Sequence, residues 1–381
     1  MKILFVCGGT AGHINPALAV AGLIRSRRPD AQIRFIGNPH GMEKRLVSEA
    51  GYPFSPVVVK GFYRSFSPKA IAHNLSAVSC MLRSSGEARR LLRDFSPDVV
   101  MGTGGYVSGP VLRAAAKLGF KTLTHESNAF PGVTTKLLAR YVDRVLLAVE
   151  EAKKYLPEGT NCEIVGNPVR EEIFLADREK SRKALGVKPG QVVLLTFGGS
   201  LGAQRVNEAV ADLIAWHYKS GKVHHIHATG QYGVELLPRL LKERGVDLRG
   251  LDTVDIREYI SDMPRCLAAS DIVVCRAGAM TLSELTAAGR ASVLIPSPNV
   301  AENHQYYNAM VLEKAGAAKV IEEKDLSGEK LCALVSDWAE HPDKLAALSK
   351  NASRLATPDA AERICDILLE MGSAAKRSPG R

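Results

Sequence analysis

The residues most able to do chemistry in this chain are three glycine-rich turns. They are Gly8-Gly9-Thr10-Ala11-Gly12, the stretch 102–109 and Gly198-Gly199-Ser200-Leu201-Gly202. Each follows a short β-rich run and opens a helical stretch, so backbone N–H groups and a helix dipole converge on one spot and favour phosphate. Glycine serves where a Cβ would block the turn or the approach of a ligand. One such turn is a weak signal, because tight strand-to-helix turns need glycine for structural reasons alone. Three at the carboxyl ends of strands, where doubly wound sheets bind ligands, are stronger together. A dinucleotide fits poorly: the first turn is not spaced G-x-G-x-x-G, and the second strand ends in Gly37-Asn38 rather than an acid. No G-K-[ST] follows any of the turns, which removes the P-loop. Sugar nucleotides remain as the leading ligand class.

The densest polar cluster is Cys275-Arg276-Ala277-Gly278-Ala279-Met280-Thr281-Leu282-Ser283-Glu284. Arg276, Thr281 and Ser283 place donors near a helix start, where a pyrophosphate gains most. Glu284, about one turn in, is within reach of a ribose diol. The structural alternative is a capping box of Thr281 and Glu284, which leaves Gly278 and Arg276 unexplained. The loop 296–305 is rich in hydrogen-bonding groups, as a solvated loop would also be. His13 directly follows the first turn, and His125-Glu126-Ser127-Asn128 ends a buried strand. An imidazole at a strand end is a candidate base, because its pKa lies near working pH. His224, His225 and His227 read as structural; their spacing is taken to set His225 on the face opposite the other two, so no metal trio forms.

These residues must be held by βαβ units. Strands are expected at 2–7, 32–36, 54–59, 98–102, 121–125, 144–148 and 163–166. A second series is expected at 191–197, 223–228, 253–257, 271–275, 292–295 and 318–321, with helices between. The two series begin alike, each with a glycine turn opening a helix, at 16–26 and 203–216. The stretch Asn167-Pro168-Val169-Arg170 marks the boundary. A chain of 381 residues divides most naturally into two domains, and 46% apolar content supports substantial cores. The net charge of +10 suggests a polyanionic partner, while 6% aromatic content weakens a single-strand nucleic-acid role. No run has the length of a spanning helix, and the amino terminus has no signal-cleavage pattern. Seven cysteines without a C-x-x-C pair indicate neither a disulfide framework nor a zinc site, and the whole reads as cytosolic.

Taken in order, the first glycine turn with His13-Ile14-Asn15-Pro16-Ala17-Leu18-Ala19, then Gly104-Gly105-Tyr106-Val107-Ser108-Gly109-Pro110, His125-Glu126-Ser127-Asn128, Gly166-Asn167-Pro168-Val169-Arg170, Gly198-Gly199-Ser200-Leu201-Gly202-Ala203 and the 275–284 segment resemble glycosyltransferase family 28. The resemblance covers nearly the whole chain. It implies an α/β GT-B fold: two Rossmann-like, doubly wound parallel-sheet domains with an interdomain cleft. The first, 1–166, would face acceptor and membrane, and 167–356 would bind the UDP-sugar. A helix at about 357–372 would pack back on the first domain, and 373–381 would be a disordered tail. The implied activity is inverting transfer of N-acetylglucosamine from UDP-GlcNAc to the 4-hydroxyl of a lipid-linked muramyl-pentapeptide.

Carried over position by position, the donor contacts are Thr10, Ala11, Gly12, Asn128, Arg170, Ser200, Ile260, Ala279, Met280, Thr281, Leu282, Ser283, Glu284 and Gln305. Glu284 would take the ribose hydroxyls, Ile260 the uracil edge, and Asn128 and Gln305 the sugar. His13 is the implied base with Glu126 next; Tyr106 and Ser108 lie on the acceptor side. The family usually has glycine at Ala11 and glutamine at Ser127; alanine is tolerable at negative φ, while Ser127 removes one sugar contact. No Asp-x-Asp pair ends a strand, so neither metal nor other cofactor is expected.

The segment 68–95 has apolar Ile71, Leu75, Val78 and Leu82 on one helical face, with Lys69, Arg83, Arg89, Arg90 and Arg93 around it. Periodicity alone favours packing on the sheet. The implied membrane diphosphate acceptor favours peripheral contact with an anionic membrane, at the cytoplasmic face of the bacterial inner membrane. Cell-wall and division proteins are further possible partners, and nucleic acid is not. The rivals are another GT-B enzyme, such as a lipid glucosyltransferase or UDP-sugar epimerase, and a non-catalytic nucleotide-sugar binder.

Overall fold

The structure, a computed structural model, describes residues 1–59 and 67–375; the side chains of 68–79, 81 and 82 lie outside that description. Two compact units emerge: Met1–Pro168 together with the chain from Thr357 onward, and Val169–Ala356.

In the first unit the strands are β1 (Lys2–Val6), β2 (Gln32–Gly37), β3 (Phe54–Pro56), β4 (Val99–Gly102), β5 (Lys121–Glu126), β6 (Arg144–Leu147) and β7 (Cys162–Ile164). They form one parallel sheet ordered β3-β2-β1-β4-β5-β6-β7. The second unit has β8 (Val192–Phe197), β9 (Val223–Ala228), β10 (Val254–Arg257), β11 (Ile272–Cys275), β12 (Ala291–Leu294) and β13 (Ala318–Val320). Its order is β10-β9-β8-β11-β12-β13, again parallel. Each sheet therefore reverses its winding beside its first strand, between β1 and β4 and between β8 and β11. At such a point successive crossovers leave the sheet on opposite faces, and the strand ends open a crevice for ligands. All the expected strands form, giving two doubly wound parallel sheets.

The strands are apolar because both faces are covered. Along β1, Ile3 and Phe5 enter a core with Val20 and Ile24 of the helix Ala11–Arg27. Leu4 and Val6 enter the opposite core, with Leu92, Val111 and Leu112. In the second unit Val193, Leu195 and Phe197 alternate in the same way with Leu194. The helix Ala360–Ala375 belongs to the first unit and buries Ile364, Cys365, Leu368 and Met371 beside Ile3 and Ile24. Arg27 and Asp366 pair across that contact at 2.7 Å.

Several boundaries differ from expectation, among them β3, which ends at Pro56 rather than at 59. β7 stops at Ile164, because the Val165 and Gly166 amides both turn onto the Leu147 carbonyl and Gly166 takes φ +84°. The first helix starts at Ala11 rather than Pro16, its first turn closed by the His13 and Ile14 amides on the Thr10 carbonyl. Residues 373–375, expected in the tail, continue the terminal helix; 376–381 lie outside the described residues.

Candidate active site

In the first unit, the turns after β1 and β4 stand side by side at the reversal point. Gly104 has φ +114°, and a Cβ there would lie 2.6 Å from the His13 ring, so only glycine lets the imidazole lie against this turn. The His13 Nδ1 lies 3.1 Å from the Gly8 carbonyl. A carbonyl only accepts, so Nδ1 carries the proton and the neutral ring has its lone pair on Nε2. The Thr103 hydroxyl donates to the His13 carbonyl at 2.6 Å, fixing the residue from β4. The ring is half-buried, Thr10 and Ala11 are exposed, and Gly12 is half-buried. Ala11, the helix's first residue, keeps a negative φ, so the departure from glycine introduces no strain here.

Glu43 was not found from sequence. It is buried on the helix Met42–Glu49 and accepts the Gly9 amide at 3.3 Å and the Asn38 amide at 2.9 Å. It thereby fixes the first glycine turn from a position distant in sequence. Its signal was faint: an acid in the first turn of a short helix after Gly41.

Several first-unit assignments change. Glu126 is buried with both oxygens engaged. One accepts the Asn128 amide and side chain at 3.0 and 2.9 Å, the other the Gly132 amide at 3.0 Å and the Thr135 hydroxyl at 2.6 Å. Its carboxylate braces the 127–132 loop and presents no lone pair for a substrate proton, so it is a poor reserve base. It orients Asn128, which stays half-buried. His125 donates Nε2–H to the Gly166 carbonyl at 2.9 Å, but it is wholly buried and its remaining lone pair on Nδ1 is sealed inside the protein, which removes it as a base. Burial lowers its pKa. Ser108 is fully buried, with its hydroxyl on the Gly104 and Val6 carbonyls at 2.7 and 3.2 Å, so it shapes the turn instead of touching an acceptor. Tyr106 is 61% exposed. Ser127 is buried, its hydroxyl without a partner.

In the second unit, the turns after β8 and β11 flank the other reversal point. Ser200 is exposed. The helix Ala279–Ala288 starts from Gly278 without a side-chain cap, so the box of Thr281 and Glu284 does not form and the Ala279, Met280 and Thr281 amides open the helix. Glu284 is one turn further in, its side chain only 20% exposed and 3.5 Å from the Arg170 guanidinium. Burial raises its pKa, and Arg170 pulls it back in part. Arg170 itself is 46% exposed, so the pair reaches the surface.

Other donor-side assignments are revised. Arg276 is paired to Glu323 and bonded to the Ile295 and Pro296 carbonyls at 3.2 Å, so it clamps two loops rather than a pyrophosphate. Leu282 and Ile260 both enter the hydrophobic core, which leaves only their backbone for a ligand. The Ser283 hydroxyl bonds back to the Ala279 carbonyl at 3.1 Å. Gln305 accepts the Ser297 amide at 2.9 Å, tying down the loop before it. On β9, His225 and His227 share one face and His224 the other, the reverse of the expected split, as a two-residue period requires.

The fold and the paired turns at its two reversal points define the class. Residues 3–147 match the glycosyltransferase family 28 N-terminal domain, and residues 193–364 match the glycosyltransferase family 28 C-terminal domain. The chain belongs to glycosyltransferase family 28. It is 42% identical over 371 residues to the UDP-N-acetylglucosamine--N-acetylmuramyl-(pentapeptide) pyrophosphoryl-undecaprenol N-acetylglucosamine transferase of Acetivibrio thermocellus, covering 97% of this chain and 98% of that one. The enzyme of the same name from Ruminiclostridium cellulolyticum is also 42% identical, over 97% and 100%. A crystal structure of Acinetobacter baumannii MurG superposes with a TM-score of 0.77 at 28% identity, over 97% and 99% of the two chains.

Proposed function

We propose that this chain transfers N-acetylglucosamine from UDP-N-acetylglucosamine to the 4-hydroxyl of undecaprenyl-pyrophosphoryl-N-acetylmuramyl-pentapeptide, inverting the anomeric carbon. The observation that carries this reading is the 42% identity, end to end, to two enzymes named for that reaction. The second unit takes the donor: Glu284 accepts the ribose hydroxyls, while Arg170 opposes the rise in its pKa that burial causes. The Ala279, Met280 and Thr281 amides and the Ser200 turn receive the diphosphate as its charge develops. The first unit supplies Asn128 to the sugar, Tyr106 to the acceptor and His13 as base.

In the chemical step the acceptor O4 attacks the donor C1 from the face opposite UDP. The C1–O bond to the β-phosphate breaks with its electron pair going to the diphosphate. The hydroxyl proton passes to His13 Nε2, the nitrogen left with a lone pair by the Gly8 contact. The enzyme works as a peripheral protein at the cytoplasmic face of the inner membrane. Arg83, Arg89, Arg90 and Arg93 are exposed on the helix Pro68–Phe95, while Ala88, Leu92 and Phe95 pack inward. The apolar side chains assigned to membrane contact, Ile71, Leu75, Val78 and Leu82, lie outside the described residues. Among the described residues no helix is long and apolar enough to cross a membrane.

Incubating the purified chain with radiolabelled UDP-N-acetylglucosamine and the lipid acceptor tests the reading. Label in a β-linked lipid disaccharide, with one UDP released per transfer, is expected. Conversion of the donor to an epimer with no label in lipid refutes it.

A further inference from the structure

A buried relay of polar side chains runs through the second unit. His217 Nε2 lies 2.8 Å from His225 Nδ1, and His225 Nε2 lies 2.8 Å from the Thr196 hydroxyl. That hydroxyl is 2.7 Å from His227 Nδ1, and His227 Nε2 is 3.1 Å from Asn207 Oδ1. Asn207 Nδ2 then donates to the Thr229 carbonyl at 3.1 Å. All five side chains are at most 2% exposed.

The last bond sets the direction of every other. Thr229 presents a carbonyl, so Asn207 must turn its amide nitrogen toward it and its oxygen toward His227. His227 Nε2 therefore carries the proton, and Nδ1 accepts from Thr196. The Thr196 oxygen accepts from His225 Nε2, and His225 Nδ1 accepts from His217 Nε2. The far end, His217 Nδ1, is a buried lone pair without a partner. Burial keeps the rings neutral, pushing His217 and His227 down to about 4 and His225 well below its ordinary value. The only other self-consistent arrangement reverses every proton, turns the Asn207 amide round and sets two oxygens against each other at Thr229.

Thr229 leads straight to the candidate donor turn. Gly202, at φ +85°, lies so close to the Thr229 carbonyl that no Cβ fits there. The Gln231 amide donates to the Ser200 carbonyl at 3.2 Å and the Tyr232 amide to the Leu201 carbonyl at 3.0 Å. The loop at 229–232 is thus the floor on which the turn Gly198-Gly199-Ser200-Leu201-Gly202 rests, and Asn207 pins that floor from below. We infer that the His217–His225–Thr196–His227 relay makes Asn207 a positioning residue for the donor-diphosphate turn, by holding its amide in the one orientation that binds the Thr229 loop. The inference rests on the reading of that turn as part of the donor site.

Thr196→Val removes the central hydroxyl at nearly constant volume, and Thr196→Ser restores it. Calorimetric titration of the full chain with UDP is expected to show the valine variant binding about five- to tenfold more weakly, the worth of one hydrogen bond. The serine variant binds as the wild type does. In turnover the valine variant raises the donor KM and leaves the acceptor KM unchanged, a split that general loosening of the fold does not produce. Circular dichroism establishes that each variant is folded. Should Thr196→Val fail to fold, the far end carries the same test: His217→Gln keeps an N–H for His225 and retains UDP affinity, whereas His217→Leu loses it. Equal UDP affinity across a folded pair, with the wild type binding UDP, overturns the relay and leaves the functional reading standing. No UDP binding by the wild type overturns that reading and the relay with it.

Discussion

Two side chains carry most of the proposed chemistry, and their surroundings set what each can do. His13 has its Nδ1 proton committed to the Gly8 carbonyl, so the proposed base is Nε2. His13→Ala is expected to lower kcat by about 10²–10⁴-fold while UDP affinity and fold persist. A near-normal kcat with only a raised acceptor KM makes His13 a phosphate contact instead. Glu284 combines burial with the Arg170 pair. Glu284→Ala is expected to weaken UDP binding by about 1–3 kcal/mol, read by calorimetry, because a buried donor then lacks its acceptor; unchanged affinity in the folded variant removes it from the ribose. Motif order brought His13, Asn128, Arg170 and Glu284 to notice, but it does not say which way a side chain faces. Ser108 and Leu282 sit in motifs, and Ile260 was a position implied by the family resemblance, yet all three point into the protein. Glu43 lies outside every motif and reaches the first turn only through the fold. On β9 the two-residue period itself sets His225 and His227 on one face and His224 on the other.

At the scale of elements, the strands were legible because parallel strands covered on both faces must be near-continuous Val, Ile and Leu, ended by glycine or a polar residue. Helix starts were less so, since the first helix begins on backbone bonds to Thr10 that leave no mark in side-chain type. The strand β9 and the helix Gln204–His217 enclose neutral histidines, and this links stability to pH. Their folded pKa values lie below the unfolded value of about 6.5, so the unfolded chain binds more protons as pH falls. The stability they lend is complete above about pH 6.5 and is lost progressively toward about pH 4, where His217 and His227 protonate in the folded state. Urea unfolding of His217→Gln between pH 6.5 and 4.5 is expected to show a slope shallower than wild type by up to about 1.4 kcal/mol per pH unit. Parallel profiles contradict a neutral, buried His217. On the helix Pro68–Phe95 the exposed arginines make a different prediction: replacing Arg83, Arg89 and Arg90 by glutamate should release the protein from anionic vesicles at low salt without changing its melting temperature. Equal co-sedimentation of the two proteins places the contact elsewhere.

For the molecule as a whole, the same doubly wound plan occurs twice, and each copy sets paired turns at its reversal point. Only the decoration differs. The first copy gathers an imidazole, a braced loop and an exposed tyrosine; the second gathers an uncapped helix start and a carboxylate–guanidinium pair. That division matches a reaction with two unlike substrates, a charged nucleotide sugar and a hydroxyl nucleophile on a lipid. A nucleotide-sugar binder needs only the second set, and an epimerase needs no acceptor. The decisive measurement is therefore the fate of label from UDP-N-acetylglucosamine when the purified chain meets undecaprenyl-pyrophosphoryl-N-acetylmuramyl-pentapeptide. Acceptor-dependent movement of label into a β-linked lipid disaccharide, slowed in Glu284→Ala at low donor concentration and in His13→Ala even at saturation, is the predicted result. Label that stays on the nucleotide whether or not the lipid is present contradicts the account.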